Sequence, residues 1–177
     1  AIKKELKIFS SIKQLRKELT LIMMGININV PKSKLKNEKQ AVCKLKKLAL
    51  LMLGIAVSKY KVKLVKEQEI LMRIADIIIE SYIAESALLK TEKLIEKNGF
   101  ENCKNEINMT QNGLQESLNI AKISSEEIIM ATSVGLKRKL LISIAKKLTY
   151  PLQINIKKIR RSISEKLQKD GKYSFSI

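Results

Sequence analysis

Histidine and tryptophan are absent from the 177 residues, and cysteine and proline occur only twice each. Without histidine, a catalytic Ser-His pair is excluded and the usual zinc ligand sets are incomplete. Two cysteines, Cys43 and Cys103, are too few for a disulfide framework and indicate a reducing cytoplasm. Neither a GxGxxG motif nor a P-loop is present. The sequence therefore predicts no catalytic, cofactor-binding or metal-ligating residue in this chain.

Aromatic residues make up only 4% of the chain, although 45% of it is hydrophobic. Aliphatic residues at this density, with so few prolines, favour packed helices over a sheet. The longest uncharged apolar run, Leu48 to Ser58, has 11 residues and is too short to cross a bilayer. No cleavable signal peptide is visible. We expect an all-α domain, a bundle of five to six helices with one continuous core.

The net charge of +18 is unevenly distributed along the chain. Residues 1–64 carry +13 and residues 136–177 carry +10, whereas residues 65–135 carry −5. Part of the basic charge can therefore be met inside the molecule or by an acidic partner. The chain is also rich in Ile, Lys and Asn, which have AT-rich codons, so genome composition alone offers an explanation of the lysines that requires no polyanion.

The longest helical pattern runs from Val65 to Asn98 and is the centre of the predicted bundle. Its inner line is Ile70, Ile74, Ile77, Ala84, Leu88 and Ile95. A second apolar line, which predicts that several neighbours cover this helix, is Leu71, Ala75, Ile78, Ile79, Tyr82 and Ile83. The predicted outer face is polar and consists of Glu69, Arg73, Asp76 and Glu80. Arg73 is expected to pair with Glu69 and with Asp76.

The segment before this helix divides into three parts. Residues 2–24 predict an amphipathic lead-in helix, and residues 25–37 predict an exposed linker. Residues 38–60 predict a second helix, in which Gly54 marks a place where another backbone comes close. From the start of this second helix to the end of the chain, residues 38–177 are expected to form one helical unit.

The segment after Gly99 begins with an unbroken apolar stripe that predicts one long helix over 101–133. This helix should pair with the central helix in antiparallel fashion across Gly99. Its predicted inner residues are Cys103, Ile107, Thr110, Leu114, Leu118, Ala121, Ser125, Ile128 and Thr132. Shorter helices are predicted over 136–148 and over 155–169, the latter capped by Asn155.

Individual polar and sulfur-containing residues carry no clear chemistry. Glu85 lies on the inner arc of the central helix, where it is either a carboxylate of raised pKa or the partner of a neighbouring lysine. Cys43 and Cys103 lie on apolar arcs and are interpreted as small core residues. The methionines, among them Met72 and Met130, are interpreted as flexible core fillers.

Two segments carry enough lysine and arginine to meet an anionic surface. The first, 41–63, has an apolar middle bracketed by Lys44, Lys46, Lys47, Lys59, Lys61 and Lys63. The second, 155–169, has a narrow apolar edge of Ile156, Ile159, Ile163 and Leu167 and an outer face of Lys157, Lys158, Arg160 and Arg161. Such helices lie on membranes or bind phosphates, although a solvated charged face explains the same pattern. Nucleic acid is not expected, because no stacking platform accompanies the charge.

Several blocks of sequence occur in an order that resembles a known family. The blocks are Glu67-Gln68, Arg73-Ile74-Ala75-Asp76, Ala84 to Lys93, Ile107-Asn108-Met109-Thr110, Gly135-Leu136-Lys137-Arg138, and the Arg160-Arg161 helix with its GKYSF ending. Together they resemble the C-terminal helical region of very-long-chain-type acyl-CoA dehydrogenases, particularly bacterial ones. The resemblance covers residues 38–177 and extends more weakly to residues 1–24.

The resemblance implies a function without chemistry in this chain. Members of that family are FAD-dependent and remove two hydrogens across the α and β carbons of a fatty acyl-CoA, with a glutamate as base. Their catalytic domains would precede this segment, and FAD would be bound only by that parent enzyme. This chain would then be a scaffolding and assembly domain that packs on the flavin-binding part.

Other possible partners are suggested by the same resemblance or by the charge of the chain. The family's extra domain helps membrane association near its preceding linker, but the corresponding segment here, 25–37, is short and basic. The alternative function is a stand-alone basic helical protein that binds a membrane surface or nucleic acid. A homodimer is also compatible with the sequence.

Overall fold

The computed structural model describes residues 34–171, and within these residues the secondary structure is entirely helical. The α-helices are α1 (Lys36–Tyr60), α2 (Gln68–Asn98), α3 (Lys104–Thr132), α4 (Gly135–Leu148) and α5 (Ile156–Asp170). Short 3-10 helices precede α2 and α3, at Lys61–Lys66 and Glu101–Cys103. The predicted all-α fold class is confirmed. The predicted lead-in helix over 2–24 lies outside the described residues.

The linker predicted over 25–37 is mostly outside the described residues, but its end can be compared. The helix expected to begin at residue 38 begins at Lys36, so the last two residues of the predicted linker are helical. Lys34 lies beside the connection between α2 and α3, with its Nζ 4.7 Å from the centre of the Phe100 ring. The chain therefore enters α1 at the end of the bundle where α2 turns into α3.

The α2–α3 pair is antiparallel, as predicted. Thr91 contacts Thr110, Glu80 contacts Ser117, and Arg73 contacts Glu127. Residue numbers fall along α2 as they rise along α3, which is the signature of an antiparallel hairpin. Gly99 joins the two helices with a φ of 82°, a conformation that strongly favours glycine.

The prediction of one long helix after Gly99 is also confirmed, with a short 3-10 turn before α3. Every residue of the predicted inner stripe, from Cys103 to Thr132, is buried. The stretch Ser124-Ser125-Glu126-Glu127 has the residue types of a capping box, but Ser124 and Ser125 are buried within α3 and no helix begins there. The uninterrupted period of the apolar stripe outweighs the local capping pattern.

The remaining helices close the core around this hairpin. α1 packs against both long helices and contributes its most deeply buried side chains, Leu45, Leu48, Met52 and Ala56. α4 buries Leu141, Ala145 and Leu148. α5 packs on α3 through a narrower edge, in which Ile159 is buried and Ile156, Ile163 and Leu167 are half-buried.

The N-terminus of α5 is capped as the sequence predicts, and a glycine directly follows its last residue. Asn155 Oδ1 accepts a hydrogen bond from the backbone N–H of Lys158 at 3.0 Å, which is the N-cap interaction. Gly171 ends the helix in the left-handed conformation, with φ 60° and ψ 5°. Gly54 does not behave as predicted, since a β-carbon at this position would meet nothing within 4 Å.

Candidate docking surface

The second apolar line of α2 is exposed, which corrects the prediction that neighbouring helices cover it. Tyr82 keeps 72% of its surface exposed, and Ile78, Ile79 and Ile83 are each about half exposed. Only Leu71, at the border of the line, is half-buried. α1 and α3 cover the inner line, and nothing in the described residues covers the opposite side.

Met72 belongs to the same exposed surface, with 67% of its surface exposed, and so does Leu89. The predicted role of Met72 as a core filler is therefore wrong, and so is that of Met130, which is exposed on α3. We call the exposed row the α2 apolar stripe and define it as Met72, Ala75, Ile78, Ile79, Tyr82, Ile83 and Leu89. Their spacing places all seven on one side of the helix.

Polar residues of α2 that were predicted to face solvent contact α3 instead. Ser117 Oγ donates a hydrogen bond to Glu80 Oε2 at 2.6 Å, and Arg73 Nε lies 2.5 Å from Glu127 Oε2. The predicted outer polar face thus supplies two contacts to α3. The predicted pair of Arg73 with Asp76 is present at 3.4 Å. The predicted pair with Glu69 is not formed, since the ion pairs of Arg73 among the described residues are those with Asp76 and Glu127.

The reason for this exchange is that polar groups on the border of α2 find partners on α3. The hydrogen bond and charge of Glu127 raise the pKa of Arg73, so this guanidinium stays charged. Arg73, Asp76 and Glu80 thus find partners at the edge of the helix pair, where water also reaches them. The apolar line is left facing water.

Glu85 is paired, as one of its two predicted interpretations requires. Lys46 Nζ of α1 lies 2.5 Å from Glu85 Oε1, and Lys39 makes a similar contact with Glu92. These two ion pairs join α1 to α2 along their length. Lys46 was predicted to face an anionic surface and instead contacts a neighbouring helix.

Cys103 is not placed as a reactive nucleophile. Cys103 is buried, and this burial raises the pKa of its thiol, with a smaller contribution from Glu106. Cys43 is half-buried, and both thiols are free. A reactive thiol needs a depressed pKa and access to solvent. Within residues 34–171, no group of three potential ligands is arranged for a metal ion.

The basic face of α5 is only partly free. Arg160, predicted to face outward, donates to Asn112 Oδ1 at 3.0 Å and forms an ion pair with Glu116 of α3. A surface cavity of about 500 Å³ at the start of α5 is lined by Asn155, Lys157, Lys158, Arg161, Ser162 and Glu165. All six lining residues are polar or charged, which does not suit a flavin ring or an acyl chain.

Two buried polar contacts were not predicted from the sequence. The hydroxyls of Thr91 and Thr110 meet at 2.6 Å between α2 and α3. Gln111 Nε2 of α3 donates to Glu38 Oε1 of α1 at 2.6 Å. Thr91 follows Leu88 by three residues and so lies on the inner line of α2, and Thr110 belongs to the predicted inner stripe of α3; these two positions are the signal that the sequence offers for their contact. Among the described helices, none is long and apolar enough to cross a membrane.

Comparison with known proteins gives a consistent result. Residues 44–147 match the family model described as "Acyl-CoA dehydrogenase, C-terminal domain". A probable acyl-CoA dehydrogenase of Bacillus subtilis is 33% identical over 98% of this chain. The crystal structure of an acyl-CoA dehydrogenase complexed with FAD from Bacillus anthracis is 34% identical over 99% of this chain, with a TM-score of 0.87.

The matched region is only part of each relative. The chain spans 29% of the length of the Bacillus subtilis protein and 29% of the Bacillus anthracis chain. The family model nevertheless covers more than half of the present chain, and the whole described fold is shared with the solved structure. This chain belongs to the acyl-CoA dehydrogenase C-terminal domain family.

Proposed function

We propose that this chain is the assembly domain of an FAD-dependent acyl-CoA dehydrogenase and docks on the catalytic domains through the α2 apolar stripe. The observation that carries the proposal is the exposed row from Met72 to Leu89 on a helix whose other side is fully packed. Contiguous apolar rows of this kind on a folded domain are characteristic of interaction sites.

The reaction assigned to the parent enzyme is the removal of two hydrogens across the α and β carbons of a fatty acyl-CoA. FAD, when bound, accepts those electrons. The Bacillus anthracis relative is complexed with FAD, which supports a flavin in the parent enzyme. The flavin would be held by the catalytic domains, since the polar cavity beside α5 does not fit its ring.

The energetics favour docking through α2 over a purely solvated role. Apolar surface stabilises an interface by about 25 cal/mol per Å² removed from water. Tyr82 is the most exposed member of the stripe and is an aromatic residue with a polar tip. Residues of this kind often dominate the binding energy at the centre of protein interfaces.

The first experiment measures the native polypeptide. Immunoblotting and intact mass of the product in its source organism should show a polypeptide far larger than 20.1 kDa, with flavin absorbance and acyl-CoA dehydrogenase activity. A native product of 20.1 kDa without bound flavin would overturn the proposal and favour the stand-alone basic helical protein instead.

The second experiment tests the stripe itself in the native enzyme. Ile79→Asp should weaken retention of flavin and thermal stability of the enzyme, because it places a carboxylate in the proposed interface. Ile123→Asp is the matched control, since Ile123 on α3 has a similar exposed fraction, 57% against 53%. Equal effects of the two substitutions would contradict docking through α2.

The remaining partners and the compartment are part of the same proposal. The free thiols of Cys43 and Cys103 suit a reducing cytoplasm.

If the α2 apolar stripe instead joined two copies of this chain, the isolated 177-residue chain would sediment as a dimer, and Ile79→Asp would make it monomeric. A monomer for both proteins fits docking on the catalytic domains.

A further inference from the structure

Two connections of the bundle meet at one end. The 3-10 helix Lys61–Lys66 directly precedes α2, and Ser133 and Val134 directly follow α3. The ion pair of Arg73 with Glu127 lies five residues from each of these helix ends, at Gln68 and Thr132. Because an α-helix rises about 1.5 Å per residue, both ends lie about 7 Å beyond that ion pair. We call segments 59–66 and 133–140 together the lysine-rich end.

The lysine-rich end exposes aliphatic side chains more fully than any other part of the described chain. Val62 is 88% exposed, Leu136 is 84% exposed, Val65 is 77% exposed and Val134 is 75% exposed. Each connection contributes two of the four. Val62 and Val65 lie in the 3-10 helix, Val134 directly precedes α4, and Leu136 lies in the first turn of α4. All four are more exposed than any large hydrophobic residue of the α2 apolar stripe.

The charge of this end has a single sign. Segment 59–66 contains Lys59, Lys61, Lys63 and Lys66, and segment 133–140 contains Lys137, Arg138 and Lys139. Neither segment contains an aspartate or glutamate; the nearest acidic residues in the chain are Glu67, directly after the first segment, and Glu127, six residues before the second. Arg138 is engaged, since its Nε donates to the backbone oxygen of Ser133 at 2.7 Å. The lysines of both segments are exposed.

We propose that the lysine-rich end binds an anionic lipid surface. The four aliphatic side chains would enter the headgroup region, and the surrounding lysines would contact lipid phosphates. Val62 and Val65 lie three residues apart in the 3-10 helix Lys61–Lys66 and so share one side of it. Insertion of these valines brings the flanking lysines to the height of the headgroups. This geometry suits a protein that rests on a membrane without crossing it.

A lipid surface fits these residues better than a nucleic acid or a protein partner. The exposed apolar groups are aliphatic, whereas single-stranded nucleic acid needs aromatic platforms for its bases. A protein partner would have to supply acidic groups beside apolar pockets for all four side chains. A bilayer containing anionic lipid presents both chemistries at once, without a fixed register.

The site is distinct from most of the α2 apolar stripe and from the start of the described chain. Met72 lies four residues from Gln68, but the rest of the stripe, up to Leu89, lies further along α2 and away from the connection that precedes Gln68. Lys34, where the described chain begins, is beside Phe100 at the opposite end of the bundle. The lysine-rich end can therefore meet a membrane while the α2 apolar stripe is covered by another domain.

A tryptophan reporter gives a direct test, because the natural chain has no tryptophan. Leu136→Trp in the full 177-residue chain should show a blue shift of its fluorescence with vesicles of phosphatidylcholine and phosphatidylglycerol. With vesicles of phosphatidylcholine alone the shift should be absent. Tyr82→Trp, on the α2 apolar stripe, is the control and should keep its emission unchanged. An equal shift at both positions, or none at Leu136→Trp, would overturn the proposal.

A charge series separates this end from general basicity. Replacement of Lys61, Lys63 and Lys66 by Gln should lower vesicle affinity on the order of 100-fold at physiological salt, since each lysine at an anionic surface contributes about fivefold. Replacement of Lys157, Lys158 and Arg161 by Gln removes the same charge from α5 and should change the affinity little. Equal losses for both triple variants would contradict a dedicated lipid-binding end, as would equally tight binding to duplex DNA.

Discussion

Thr91 of α2 and Thr110 of α3 share a hydrogen bond of 2.6 Å between their Oγ1 atoms, and both side chains are buried. The bond lies across the antiparallel pair that forms the centre of the bundle. Two small polar groups at this position fix which residues of α2 and α3 lie opposite each other. Their removal one at a time and together should therefore have different consequences.

Thr91→Val should lower the free energy of unfolding by about 1–3 kcal/mol, and Thr110→Val should do the same, because each leaves a buried hydroxyl without its partner. The double variant should cost less than the sum of the two, since both hydroxyls are then replaced by methyl groups of the same shape. Urea unfolding monitored by circular dichroism measures all four corners of the cycle. Strict additivity would show that the two hydroxyls are not coupled.

Truncation should destabilise the domain much more on the buried face of α2 than on its exposed face. Ile77 is fully buried, so Ile77→Ala should lower the free energy of unfolding of this chain by about 2–4 kcal/mol. Ile79, two residues away, is about half exposed, and Ile79→Ala should cost less than about 1 kcal/mol. A larger loss for Ile79→Ala than for Ile77→Ala would mean that the faces of α2 have been exchanged.

The N-terminus of α5 depends on one side chain. Asn155→Ala removes the acceptor of the Lys158 backbone N–H and should cost about 1 kcal/mol in helix stability. Amide hydrogen exchange of the first turn of α5 should accelerate accordingly. Ser164→Ala, at an exposed position within the same helix, is the control and should leave that exchange rate nearly unchanged.

The end of α1 contains a strained residue. Lys61 is the one residue other than glycine with a positive φ in the described chain, at φ 49° and ψ −127°. Lys61→Gly relieves this strain and should raise the free energy of unfolding by about 1 kcal/mol. Lys63→Gly, two residues on in the 3-10 helix, should bring no gain. Thermal unfolding of both variants beside the natural chain decides the matter.

Cys103 makes stability depend on pH in the alkaline range. Burial raises the pKa of its thiol, so the native state holds this proton more tightly than the unfolded chain does. The resulting stabilisation is complete below the unfolded pKa of about 8.5 and is lost as pH rises through the native value. Cys103→Ala should therefore lose less stability between neutral and alkaline pH than the natural chain.

The matched control for this pH series is Cys43→Ala, which keeps Cys103 and should show the slope of the natural chain. Unfolding by urea at a series of pH values gives the slope for each protein. Identical slopes for the natural chain and Cys103→Ala would contradict the assigned cause, the burial of the thiol.

The sequence alone predicts the helices of this domain with useful accuracy. The apolar stripe from Cys103 to Thr132 keeps one helical period throughout, and the glycine at 99 interrupts the pattern where the hairpin turns. Asn155 and Gly171 mark the ends of α5 with residue types whose backbone preferences are local. Such features depend on neighbouring residues in the chain, so one sequence is sufficient to find them.

The arrangement of faces on α2 could not be predicted in the same way. Ile77 and Ile79 are identical in chemistry, and their different burial is decided by where α1 and α3 lie. Glu80 was expected to face solvent because the pattern of α2 alone does not show that its partner, Ser117, lies on another helix. Periodicity identifies which residues avoid water, but not whether the covering surface belongs to the same domain.

Oxidation of Met72 in the native polypeptide is the measurement that tests docking through α2 most directly. Met72 lies in the α2 apolar stripe, whereas Met52 is fully buried and serves as the protected reference. Peroxide treatment followed by mass spectrometry should oxidise Met72 readily in the isolated 177-residue chain and only slowly in the native flavoenzyme, with Met52 protected in both. Equal oxidation of Met72 in the two proteins would contradict docking of the catalytic domains on this surface.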